Sequence, residues 1–143
     1  MALEMDIGDL GLFLQQEFPQ VAEDFSVDHL DDTSIRVRLK VTDRHLRPGS
    51  TVSGPSMFAL ADCAMYLAVL SRIGPKALAV TTNCAIDFMR KPEAGRDVLC
   101  DARLLKLGRV LAVGDAMLFS EGHEDRVVAR ASLTYSIPPI AAG

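Results

Sequence analysis

The sequence predicts an α+β fold in which one antiparallel β-sheet wraps around one long central helix, with a short helix at the N-terminus. Three observations carry this expectation. The stretch from Gly54 to Ser71, GPSMFALADCAMYLAVLS, is almost unbroken apolar sequence rich in Ala, Leu and Met, a composition that favours helix. It is followed by strand-like runs separated by short turns. The order is a short helix, two strands, the long helix and four strands, so the helix has a single antiparallel sheet to bury against.

Each element has its own signal. Residues 6–18, DIGDLGLFLQQEF, form an amphipathic segment that Pro19 should stop. Strands are expected over 25–30 and 33–41. In the second, Ile35, Val37, Leu39 and Val41 alternate with Arg36, Arg38 and Lys40, the period of a half-buried strand. A loop over 42–53 holds Arg47, Pro48, Gly49 and Ser53 and leads into Gly54-Pro55. The long helix then runs to Gly74-Pro75, a combination that ends helices. Strands follow over about 77–90, 97–107, 109–120 and 125–137, with Gly108 and the Glu121–Asp125 segment as turns. Because the long helix is apolar all round, it should be buried on nearly every side.

The chain of 143 residues suits one domain, 1–143, with its core over about 25–138. An apolar fraction of 49% and a charged fraction of 24% are those of a globular protein. A net charge of −4 argues against a broad nucleic-acid surface. The N-terminal MALEMDIGDL has early acids and no basic region of a signal peptide. The 54–71 stretch has the length of a membrane span, but its Asp, Pro and serines favour a core helix. Cys63, Cys84 and Cys100 have no metal-ligand spacing and are odd in number, as expected of reduced thiols in a cytoplasm. The expectation is a cytoplasmic protein with no membrane or nucleic-acid partner and no metal or cofactor.

Asp62 is the one ionisable carboxylate within the apolar stretch. A carboxylate there costs several kcal/mol unless it is hydrogen-bonded, paired or protonated. It is either a contact that reaches a hydroxyl or water, or a functional acid, since such groups concentrate at active sites. At the start of the same helix the first amides are unpaired and lie at the positive end of the dipole. Pro55 has no N–H, which leaves Gly54 as the natural donor, with a bare Cα that lets a carbonyl approach. Ser53 is an N-cap or a substrate contact.

The run Ser50-Thr51-Val52-Ser53-Gly54-Pro55, with Asp62 nine residues beyond Ser53, the segment Ile86-Asp87-Phe88-Met89-Arg90-Lys91-Pro92 and the turn Leu107-Gly108-Arg109 together resemble the hotdog fold. They are most similar to its PaaI-like acyl-CoA thioesterases. The resemblance covers about residues 30–137. In that family a Gly-Thr-x-His-Gly-Gly turn opens the central helix and a catalytic Asp or Glu follows nine residues after the His. Here Ser53 replaces the His, Pro55 replaces the second Gly, and Arg47 stands where many relatives place Asn.

The resemblance implies that the Gly54 amide is an oxyanion donor and Asp62 a general base or nucleophile. It also implies that Thr81, at the start of the next strand, helps position the water, although a strand threonine needs no such role. For the phosphates of coenzyme A, Arg90, Lys91 and Arg109 lie at strand ends or turns, where a cation reaches a phosphate without burial. His29, His45 and His123 are scattered, and no partner for them is evident. Cys63 follows Asp62 but should point to another helix face.

Eight residues of helix separate Gly54 from Asp62, about 12 Å along the axis. A carbonyl held by the Gly54 amide cannot also lie ~3–3.5 Å from a base acting out of the same chain's Asp62. A homodimer is therefore the expected minimal unit, with a dimer of dimers left open, and the expected partner is an acyl-CoA substrate. The alternative is a non-catalytic protein that binds acyl-CoA or a related ligand in the same groove, a reading that rests on Ser53 and Arg47.

Overall fold

A computed structural model of the chain describes residues 3–139. Helix α1 (Ile7–Glu17) is capped reciprocally: Asp6 Oδ1 accepts the Asp9 N–H at 2.8 Å and Asp9 Oδ2 accepts the Asp6 N–H at 3.0 Å. Pro19 does more than stop this helix, because it opens a further turn, α2 (Pro19–Ala22). Proline suits a first helical position, where its missing N–H would have no partner anyway.

Strands β1 (Phe25–Leu30) and β2 (Ser34–Leu39) form a hairpin whose turn is held by Asp31, which accepts the Thr33 and Ser34 amides at 2.8 Å each. The loop predicted over 42–53 contains more structure than expected. A 3₁₀ turn (Asp43–His45) leads into a small ribbon of β3 (Leu46–Arg47) and β4 (Thr51–Val52). Helix α3 (Gly54–Ile73) follows and ends at Gly74, whose φ of 89° suits glycine.

The remaining strands are β5 (Val80–Phe88), β6 (Val98–Leu107), β7 (Leu111–Ser120) and β8 (Ala129–Ser136). The first starts later than predicted because a turn, closed by the Ala79 N–H on the Lys76 carbonyl at 3.1 Å, occupies 76–79. The last starts later because the chain turns over 120–126, with His123 and Arg126 amides on the Ser120 and His123 carbonyls.

The six long strands form one antiparallel sheet in the order β1-β2-β6-β7-β8-β5, so β1 and β5 are its edges. Its inner face, with Ile35, Val37 and Leu39 from β2 and Leu118 and Leu133 from β7 and β8, packs on Leu60, Ala64, Met65 and Leu67 of α3. The outer face carries ion pairs between residues directly opposite in register: Arg36 with Asp101, Arg103 with Asp115, and Arg130 with Asp87. Charges there mark the face turned to solvent. A sheet curled around one central helix, with a short helix before it, is the hotdog fold.

In one respect α3 departs from expectation. It is not covered on all sides: Pro55, Phe58 and Ala59 are exposed and Asp62 is half-buried, at the three- and four-residue spacing of one helix face. Hydropathy is high around the whole circumference, so the side that meets the sheet and the side that does not look alike in sequence. Asp62 therefore lies on an open strip of the helix and not in the middle of the core.

Candidate functional site

The strip brings Asp62 against the start of β5 and the end of β8. The Thr81 hydroxyl donates to Asp62 Oδ1 at 2.5 Å, and the Tyr135 hydroxyl donates to the same oxygen at 2.7 Å. Tyr135 also lies 2.9 Å from the Asp62 carbonyl. Among the described residues no donor is bonded to Oδ2, and it is not one of the buried atoms left without a partner. These bonds supply what a carboxylate on an apolar helix needs.

Asp62 and Thr81 line a groove of about 510 Å³ together with Phe18, Val21, Phe25, Cys63, Tyr66 and Tyr135. The walls are mostly apolar and aromatic, and Glu17 is part of the lining. Cys63 thus shares the groove with Asp62, contrary to the expectation of a separate face; residues adjacent on a helix can border one wide cleft. Burial first, and then the Asp62 charge, push the Cys63 thiol well above the usual range, which leaves it protonated and a poor nucleophile.

Gly54 lines a different groove of about 360 Å³, with Arg47, Met57, Phe88, Arg90 and Lys91. It occupies the first position of α3, where its N–H has no acceptor within the helix. The Phe88 ring faces its Cα, and a Cβ there would meet Phe88 Cζ at 3.4 Å. Ser53 is the N-cap: its Oγ accepts the Ser56 N–H at 3.3 Å and donates to Ser56 Oγ at 3.0 Å. Arg109 borders a third groove, of about 880 Å³, with Lys76, Lys106, Val110 and Ile137. A single chain therefore brings Asp62 to Thr81, gathers Arg47, Arg90 and Lys91 around Gly54, and keeps Arg109 apart from both.

The histidines do have neighbours that the sequence did not reveal. His29 bonds Asp31 at 2.8 Å, His123 bonds Glu93 at 2.9 Å, and buried His45 lies 3.7 Å from Asp24. None lines the Asp62 groove. Among the described residues no group of His, Cys, Asp and Glu is arranged to hold a metal.

Tyr135 is the site residue that sequence reasoning missed. Its signal was the period-two run Ala129, Ala131, Leu133, Tyr135 on the buried face of β8. A hydroxyl arriving at the end of such a run needs a buried partner.

The profile of the thioesterase superfamily matches residues 49–127, and the chain belongs to that superfamily. It is 31% identical over 103 residues to a candidate esterase of Pseudomonas aeruginosa, covering 71% of this chain and 74% of the relative. A candidate thioesterase of a Silicibacter species, solved by crystallography, is 60% identical, with a TM-score of 0.91 over 97% of this chain and 96% of that one. A variant of the phenylacetic acid degradation protein PaaI from Thermus thermophilus is 30% identical, with a TM-score of 0.71 over 84% and 99% of the two chains. The likeness to hotdog, PaaI-type thioesterases noted from the motifs is thus seen in the family match and in the fold.

Proposed function

We propose that the protein hydrolyses acyl-CoA thioesters, with Asp62 of one subunit and the Gly54 amide of its partner forming each site of a homodimer. The observation that carries this reading is the Asp62 carboxylate itself. One oxygen is held by two hydroxyls while the side chain borders an apolar groove. Thioester hydrolysis needs an activated water or a nucleophile, together with a donor for the developing oxyanion. In the proposed reaction Asp62 takes a proton from water as the water oxygen attacks the thioester carbonyl carbon. The negative charge that develops on the carbonyl oxygen is met by the partner's Gly54 N–H. The C–S bond then breaks, and the departing thiolate receives the proton held by Asp62, giving the free acid and coenzyme A. If Asp62 attacks directly, the same groups serve and water opens the resulting anhydride.

The shared site is supported by the separation of Asp62 and Gly54 along α3 and by their lining different grooves. It is supported further by the open side of the protomer. Phe58 on the strip of α3, and Val80, Phe88 and Met89 on edge strand β5 and just after it, are exposed apolar side chains. An uncovered edge with apolar neighbours is a natural pairing surface. Arg90, Lys91 and Arg109 would take the phosphates of coenzyme A, with Arg47 and Ser53 near the oxyanion donor.

The test is a panel of acyl-CoA thioesters with detection of the released thiol, run on wild type and Asp62→Asn. Hydrolysis that collapses in the variant supports the reading. Wild-type binding of a non-hydrolysable acyl-CoA analogue without turnover of any thioester would overturn it in favour of a binding protein.

A further inference from the structure

We propose that Tyr135 is a positioning residue for Asp62: with Thr81 it clamps Oδ1 and leaves Oδ2 as the oxygen that faces the groove. This rests on the reading of Asp62 as the reacting carboxylate. Thr81 and Tyr135 are register partners on β5 and β8, so both side chains rise from the same side of the sheet toward α3. Their hydroxyls converge on one oxygen, at 2.5 and 2.7 Å. A tyrosine needing only to satisfy its own hydroxyl could do so on the Asp62 carbonyl, which lies 2.9 Å away. The closer partner is the side chain.

The clamp is itself held in place. Tyr135 is 3% exposed, and its ring stacks on Tyr66 at 6.0 Å between centroids. The Tyr66 hydroxyl is committed to the Ala77 carbonyl at 2.9 Å, on the turn that leads into β5 and Thr81. Phe18 meets Tyr66 edge-on at 6.5 Å. The aromatic contacts thus run from the α1–α2 junction to the carboxylate. Burial, and then the Asp62 charge, push the Tyr135 hydroxyl above the ordinary phenol range, so it remains a donor. The other titratable groups around Asp62 are Glu17 in the groove lining, Cys63 and Tyr66 on α3, and Cys84 on β5. Burial raises the Cys63, Cys84 and Tyr66 groups, so none of these three supplies a competing charge near neutral pH.

Hydrogen bonds to a carboxylate favour its charged form. Tyr135→Phe should therefore lower kcat by about tenfold, leave KM within about twofold, and move the acidic limb of the kcat/KM profile upward. Adding Tyr135→Phe to Asp62→Asn should cost no further activity, because the tyrosine acts through the carboxylate. Titration of the Asp62 carboxyl by carbon-13 NMR in aspartate-labelled protein gives the same answer without turnover: the midpoint should rise in Tyr135→Phe. Replacing both tyrosines with 3-fluorotyrosine, a stronger donor, should lower it without deleting a contact. An unmoved NMR midpoint in both proteins would overturn the proposal, as would a full additional loss of activity in the double variant. If wild type turns over no thioester, the proposed function fails, while the NMR titration still decides the role of Tyr135.

Discussion

Gly54 and Asp62 lie on the same helix yet face different grooves of the chain. Gly54 is gathered with cations, Arg47, Arg90 and Lys91, whereas Asp62 is gathered with hydroxyls and aromatic rings. The proposed oxyanion donor and the proposed base thus stand about two helical turns apart. A reacting carbonyl cannot touch both groups within one chain, so a site that uses them together has to draw them from two subunits.

The first prediction concerns the carboxylate. Asp62→Asn keeps the volume and can still accept the Thr81 and Tyr135 hydroxyls on its amide oxygen, so the fold should survive. Turnover should fall by at least ~100-fold, the scale of a general base. Affinity for a non-hydrolysable acyl-CoA analogue, measured by calorimetry, should change little. Dissociation of the oligomer with near-normal activity per remaining site would instead make Asp62 a structural contact.

The second prediction separates the cations from the chemistry. Neutralising Arg90, Lys91 or Arg109, each exposed, should raise KM for CoA thioesters. Short thioesters without the nucleotide should be unaffected, since a contact remote from the reacting atoms contributes uniform binding. Arg109 borders a groove away from the other two, so its effect should add to theirs and not overlap with it. Equal losses on both kinds of substrate would show that these residues do not read the nucleotide.

Much of the architecture was legible because it is written in periodic patterns. The alternation of Ile35, Val37 and Leu39 placed β2, and the Ser53 cap with Gly74 bracketed α3. What was missed has no period to read. The two-residue strands β3 and β4 are too short to alternate, and α2 is a single turn behind a proline that equally well signals a stop. The open strip of α3 was hidden because Pro55, Phe58 and Ala59 are as apolar as the residues facing the sheet. Thr81 was suggested by the family resemblance, at the start of the strand after the helix, and its hydroxyl meets Asp62. Tyr135, 73 residues from Asp62 in sequence, is brought there by the pairing of β8 with β5, which local sequence does not encode.

The third prediction tests the packing that holds α3 against the sheet. Gly114 on β7 lies against the side chain of Met65. A Cβ at this position would overlap both Met65 Cε and the Arg103 carbonyl oxygen of β6. Met65 is fully buried and the carbonyl belongs to the neighbouring strand, so neither can withdraw freely. Gly114→Ala should destabilise the protein by about 2 kcal/mol, within the range for overpacked cores. The measurement is the urea midpoint, at fixed protein concentration so that any association contributes equally to both proteins. A midpoint equal to wild type would mean that both α3 and the β6–β7 pairing can shift without cost.

The fourth prediction tests the shared site through two inactive proteins. Asp62→Asn removes the base, and Gly54→Pro removes the amide donor. Gly54 is the first residue of α3, a position that tolerates proline. Ser53 before it is already extended, with φ −74° and ψ 157°, as a residue preceding proline requires. Circular dichroism should therefore show a folded Gly54→Pro protein, and each variant alone should be inactive. In a mixed dimer with two-fold symmetry both lesions fall in one site, and the other site pairs an intact Gly54 with an intact Asp62. Random exchange makes about half the dimers mixed, each with one of two sites working, so activity should return to about a quarter of wild type. Subunit exchange is verified independently by mass spectrometry of differently tagged chains. If exchange is complete and no activity returns, Gly54 and Asp62 do not meet across an interface, and the composite mechanism is wrong.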